Sequence, residues 1–145
     1  MRKICTNSLL AFFSQQKSLQ KKSKLSGKSG LDKMTNIEKL FAFFDAENQR
    51  DWQTYQTFLS DHVSWELEGD TTEIIKGKTG YLTKIQKVYQ NNPVQFACTY
   101  YQLSPDQNRI VTLLENDFGD LSCDIFFFEK GLIVKEIEYL LKKAD

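Results

Sequence analysis

Among its 145 residues the chain has one histidine, two prolines and no net charge. His62 and three widely spaced cysteines (Cys5, Cys98, Cys123), with no CxxC among them, make up no set of zinc ligands. An odd number of scattered cysteines gives no disulfide framework either and fits a reducing cytoplasm. No apolar run approaches the roughly 20 residues that cross a bilayer as a helix, so no membrane partner is expected. Collagen-like, coiled-coil and low-complexity classes fail on composition. Neither a metal nor another cofactor is expected. What remains is 41% hydrophobic and 13% aromatic, enough to bury one core without staples.

The zero charge averages two unlike segments. Residues 1–33 hold eight basic side chains (Arg2, Lys3, Lys17, Lys21, Lys22, Lys24, Lys28, Lys33) against the single acid Asp32. That leaves residues 34–145 with 11 of the 19 basic and 18 of the 19 acidic groups. A globular part this acidic repels phosphate backbones, so no nucleic-acid partner is expected. The basic stretch is poor in core-forming residues and reads as a disordered extension. Two alternatives stay open: a leader sequence, or a start codon that really lies at Met34. Its apolar run Leu9–Phe13 is too short for the core of a secretory signal. Directly after Met34, Thr35-Asn36-Ile37-Glu38 has capping-box spacing, as if a domain opens there.

From there the pattern is regular. Ile37, Leu40, Phe41 and Phe44 fall at helical spacing. Asp51 caps a second, short helix carrying Trp52, Tyr55, Phe58 and Leu59. Val63–Glu68 alternates and reads as a strand, and a loop through Gly77 leads to a third helix with Leu82, Ile85, Val88 and Tyr89 at helical spacing. Beyond Pro93, the segments Val94–Leu103, Arg109–Phe118, Leu121–Glu129 and Leu132–Leu141 read as four strands joined by short turns. The expected class is α+β, three helices against a curved, mostly antiparallel sheet.

This order resembles the nuclear transport factor 2-like superfamily, most closely its SnoaL-like branch. The resemblance rests on Asn48-Gln49-Arg50-Asp51-Trp52, Leu59–Leu67, Gly77-Lys78, Asp124–Ile133 and Tyr139, spanning nearly all of residues 36–141. It implies a cone-shaped barrel over residues 34–145, an apolar cavity for a small hydrophobic ligand, and a homodimer formed through the sheet. Ketosteroid isomerases of this fold use a tyrosine, a general-base carboxylate and a protonated aspartic acid. Those positions match Phe43, Leu67 and Asp124, so one role of three survives. Steroid-type isomerisation is therefore not expected.

Asp124 shares a strand face with Phe126 and Phe128, and a carboxyl among aromatics would be held protonated or act as a base. The resemblance puts Glu136 on the cavity side of the last strand, with Glu138 on the same face, so Asp124 and Glu136 are the candidate catalytic pair. In the competing reading Ile133, Ile137 and Tyr139 face inward and both glutamates face water, which fits the rarity of unpaired buried glutamates. Phe43, Tyr55, Trp65, Leu67, Phe126 and Phe128 are the expected cavity lining. His62 beside Asp61 reads as a surface residue, since sequence neighbours point apart. Three functions stay open: a ligand-binding domain, an acid/base enzyme (isomerase, cyclase or hydrolase type) using Asp124, and a dimeric interaction module with a vestigial pocket.

Overall fold

The computed structural model describes residues 33–142. The extension assigned to residues 1–33, with Cys5, therefore lies outside the described residues except for Lys33.

Helix α1 (Asn36–Asn48) starts where the capping-box spacing puts it. Thr35 Oγ1 accepts from the Glu38 N–H at 3.3 Å, and Glu38 Oε2 accepts from the Thr35 N–H at 2.9 Å. The helix buries Leu40, Phe41, Phe43 and Phe44. Arg50, at φ 58°, takes the left-handed conformation that reverses the chain. Asp51 Oδ1 then accepts from the Thr54 N–H at 3.1 Å and opens α2 (Trp52–Tyr55). A single 3-10 turn follows over Gln56–Phe58. Phe58 and Leu59, expected on the second helix, thus sit in that turn and at the head of β1 (Leu59–Glu68).

The segment expected to be a loop before Gly77 is a strand, β2 (Thr72–Lys76), hydrogen-bonded to β1 from Glu68↔Thr72 to Ser64↔Lys76. It is an edge strand with mostly exposed side chains, so it carries no buried alternation to betray it. Gly77, at φ 85°, turns the chain into α3 (Lys78–Val88), which buries Tyr81 and Ile85. Strands β3 (Phe96–Leu103), β4 (Arg109–Asn116), β5 (Leu121–Glu129) and β6 (Leu132–Leu141) complete the domain. The six strands run in the order β2-β1-β6-β5-β4-β3, with β1 and β6 parallel and every other pair antiparallel. Among the described residues, three α-helices and one mixed sheet make this an α+β fold.

Cross-strand register separates the two faces. The rows Trp65–Glu136–Phe126–Ile110 and Leu67–Glu138–Asp124–Thr112 face the helices, and most of their members are buried. The rows Glu66–Ile137–Ile125–Val111 and Tyr139–Cys123–Leu113 face away. At the centre of the core Phe43 stacks on Tyr55 at 4.0 Å and meets Phe58 and Phe126 edge-on at 6.3 and 6.2 Å. Burying each such ring contributes about 1.5–3 kcal/mol.

One irregularity decides what the sheet presents to the helices. Phe127 pairs with Lys135 but Phe128 pairs with Ile133, which leaves Val134 as an extra residue on β6. This bulge reverses the alternation, so Ile133 and Glu136, three apart, are both buried. The reading that sent Ile137 and Tyr139 inward and the glutamates to water is therefore corrected. Glu136 is 5% exposed and Tyr139 42%.

Candidate functional site

A cavity of about 270 Å³ lies between the helices and the inner face of the sheet. Its walls are aromatic and acidic together. Phe44, Tyr55, Trp65, Tyr81, Tyr89 and Phe126 supply rings, and Glu47, Asp120, Asp124, Glu136 and Glu138 supply carboxyls. Among the described residues no lysine, arginine or histidine lines it.

Asp124, 1% exposed, stands at the middle of a carboxyl cluster. It receives the Ser122 hydroxyl proton at 2.6 Å and shares hydrogen bonds with Glu136 and Glu138 of the neighbouring strand. A bond between two carboxyls needs a proton on one of them, so the cluster cannot be fully ionised. Burial pushes Glu136 up to about 8, reinforced by the Glu138 charge and opposed by the donors Asp124 and Tyr81. Burial and then the Asp124 charge push Glu138 up to about 9. Asp124 is held well above the usual carboxylate range, first by burial and next by the Glu136 charge. The Tyr81 hydroxyl from α3 donates to Glu136 Oε2.

A second acid site comes from α1. Glu47 accepts from Tyr55 at 3.0 Å and from Tyr89 at 2.7 Å, and burial pushes it up to about 7. The Arg50 guanidinium moderates that shift. It lies 3.9 Å over the Tyr89 ring and donates to the carbonyls of Asn92 (2.8 Å) and Val94 (2.6 Å), pinning the segment that borders the cavity. The junction Asn48–Trp52 thus has a structural reason for its composition. The Asn48 amide also brackets Phe96, donating to its carbonyl at 2.9 Å and accepting from its N–H at 3.0 Å. Trp65 stands beside Glu136 in the sheet, 4% exposed, and its buried indole N–H has no hydrogen-bond partner among the described residues. A buried donor left unmatched costs about 1–3 kcal/mol.

Of the residues the sequence marked out, Asp124, Glu136, Tyr55, Trp65 and Phe126 line this cavity. Phe43 is packed in the core behind Tyr55. Phe128 borders a separate shallow depression with Ser104 and Arg109, and Leu67 lies half-buried in the row of Glu138 without reaching the cavity. His62 is exposed, and its neighbour Asp61 pairs with Lys78 at 3.2 Å instead. Cys98 is buried and free, and burial pushes its thiol up to about 12. Glu47 and Tyr81 were missed, and Tyr89 was read only as part of the third helix's apolar pattern. Glu47 extends the ridge Leu40–Phe43–Phe44 by three residues, the one signal that could have found it. Among the described residues, Asp124, Glu136 and Glu138 alone form a group with metal-ligand spacing, their oxygens within 4.8 Å of one another.

No family model matches the sequence, and no curated protein is significantly similar to it. Solved structures do match. An NTF-2 like protein from Burkholderia xenovorans aligns at a TM-score of 0.66 and 18% identity, covering 76% of this chain and 85% of that one. A SnoaL-like protein from Burkholderia thailandensis aligns at 0.61 and 14%, covering 69% and 88%. Rv0760c from Mycobacterium tuberculosis, solved with estradiol-17beta-hemisuccinate, aligns at 0.64 and 18%, covering 74% and 95%. The fold is nuclear transport factor 2-like. Among the described residues no helix is long and apolar enough to cross a membrane.

Proposed function

We propose that this chain is a small-molecule-binding domain whose cavity performs general acid/base chemistry on a small hydrophobic substrate. One observation carries the reading. Asp124, Glu136 and Glu138 meet at the cavity wall with no basic side chain among the described residues lining it. Buried, unpaired carboxyls work against folding, and such perturbed groups concentrate where proton transfer is needed. Glu136, with Tyr81 and Asp124 donating to it, suits the base. Asp124, held by burial well above the usual carboxylate range and already donating to Glu136, suits the proton donor. The aromatic walls hold the apolar body of the ligand within a cone-shaped barrel. Rv0760c, which shares the fold, was solved in complex with estradiol-17beta-hemisuccinate, and this supports a small-molecule ligand here. An open cavity also weighs against the vestigial module, whose pocket its own rings would fill.

The outward rows carry Val111, Leu113, Ile125 and Ile137, apolar and only half-buried, and we place a homodimer contact there. The free thiols of Cys98 and Cys123 suit a cytoplasmic setting, and the acidic walls suit neither nucleic acid nor an anionic membrane surface. Native mass spectrometry of protein from its own host tests occupancy and subunit count together. Turnover of a panel of hydrophobic ketones and epoxides tests the chemistry. Asp124→Asn and Glu136→Gln should each lower turnover by about 10²–10⁴-fold with the fold retained. Unchanged turnover in both variants, or protein without ligand and without turnover, would overturn the reading.

A further inference from the structure

Glu47 on α1 and Glu136 on β6 stand at the two ends of one hydrogen-bonded row along the cavity wall. Tyr55, from α2, donates to Glu47 Oε2 at 3.0 Å, and Tyr81, from α3, donates to Glu136 Oε2. Between them the two phenol hydroxyls share a hydrogen bond of their own. The row therefore runs Glu47–Tyr55–Tyr81–Glu136, and all four residues border the cavity. Tyr55 and Tyr81 are each 1% exposed, so bulk solvent does little to complete their bonds. Other titratable groups press on the two ends. Glu47 also accepts from Tyr89 and feels the Arg50 charge, and Glu136 meets Asp124 on β5 and Glu138 on its own strand. Asp120 borders the same cavity, and the Cys98 thiol on β3 feels the Asp124 charge.

Four oxygens in a row have three gaps between them, and each gap takes one hydrogen. The two phenols supply two. With both carboxyls ionised, each phenol turns to its own carboxylate, and the two phenol oxygens face each other with nothing between them. A buried link left empty costs free energy. One carboxyl proton fills it, and that proton completes the row from either end.

We propose that Glu47 and Glu136 share a single proton through the Tyr55 and Tyr81 hydroxyls, and that Glu47 is thereby a positioning residue for Glu136. The shift takes three transfers. Glu136 gives its proton to the Tyr81 oxygen, Tyr81 gives its own to Tyr55, and Tyr55 gives its own to Glu47. Three O–H bonds break and three form, both phenols end as they began, and the negative charge passes from Glu47 to Glu136. Burial pushes both ends up, Glu47 to about 7 and Glu136 to about 8, with the Glu138 and Glu47 charges adding to the rise at Glu136. The two ends are thus matched closely enough to exchange the proton. What the proton is used for rests on the acid/base reading. Glu136 as carboxylate takes a proton from the substrate, half-buried Glu47 releases its own to water, and the shift along the phenols restores the start.

The test is a carbon-13 NMR pH titration of the glutamate carboxyls in the full chain, with the two signals assigned from Glu47→Gln and Glu136→Gln. In the wild type both signals should move through the same two steps, because each carboxyl carries the proton part of the time. Glu47→Gln fills the row for good with an amide hydrogen, its oxygen still accepting from Tyr89, so Glu136 should titrate at least about one pH unit lower. Adding Tyr55→Phe to Glu47→Gln keeps the ring stacked on Phe43 but cuts the row, and should raise Glu136 again by about half a unit. A Glu136 titration that ignores Glu47→Gln would overturn the proposal. So would one that follows Glu47→Gln but ignores the added Tyr55→Phe, since charge alone would then couple the two ends. If the double variant does not fold, the wild type decides, and separate single steps for Glu47 and Glu136 overturn the shared proton. No substrate enters the titration, so a shared proton in a protein without turnover would remove the acid/base reading alone.

Discussion

Exchanging Glu136 for glutamine isolates what one buried negative charge does to this fold. Burial pushes the carboxyl from its ordinary 4.5 to about 8 in the folded chain. Between those values the folded state keeps a proton that the unfolded state has released. Stability therefore falls as pH rises, by about 1.4 kcal/mol per unit for this group. The contribution is complete below about pH 4.5 and exhausted once pH passes about 8. Glutamine keeps the shape and can still accept from Tyr81, but it has no proton to lose. Between about pH 5.5 and 7.5 the wild-type and Glu136→Gln stabilities should diverge by about 2–3 kcal/mol, in favour of the variant at the upper end. Asp124 is raised partly by the Glu136 charge, so relief of that neighbour adds to the divergence. Against a total stability of about 5–15 kcal/mol this is large. Urea denaturation across the pH series measures it, and the thermal midpoint should separate by on the order of 10 °C. Parallel pH curves, or a variant that loses ground as pH rises, would refute the reasoning.

Other substitutions probe the supports of the site. Tyr81→Phe removes the hydroxyl donor to Glu136, and should cost about 1–3 kcal/mol at alkaline pH, where the carboxylate needs it, and little at acid pH, again by urea denaturation. Arg50→Lys cannot serve the Asn92 and Val94 carbonyls and cover Tyr89 together, so the Glu47 carboxyl should titrate higher in an NMR pH series. Phe43→Ala opens the stack on Tyr55 and should cost about 3–5 kcal/mol. Thr35→Ala, which breaks the capping box, should cost only about 1 kcal/mol.

Most of the element order was legible because it rests on local signals: a capping box at Thr35, an N-cap at Asp51, and turn residues between strands. Strand β2 was not, because an exposed edge strand has no inner face to pattern its sequence. Asp124 could be placed inward by alternation from Phe126. Glu136 could not, because alternation counted from Ile133 fails at Val134, and a bulge is a property of pairing rather than of composition. Glu47 stayed hidden because a helix ridge that turns from phenylalanine to glutamate reads as leaving the core. Only the tyrosines arriving from α2 and α3 make the core continue through it.

The position of β6 has a consequence for timing. It is the last described strand, and it is inserted between β1 and β5 rather than added at an edge. Until it arrives, Trp65 belongs to one half-built sheet, with Tyr81 on the helix that follows it, and Asp124 belongs to another, joined only by chain. Loop closure over that separation is slow relative to the hairpins on either side. The same strand delivers both glutamates, so the carboxyl cluster around Asp124 is assembled, and its protons are taken up, only at the closing step.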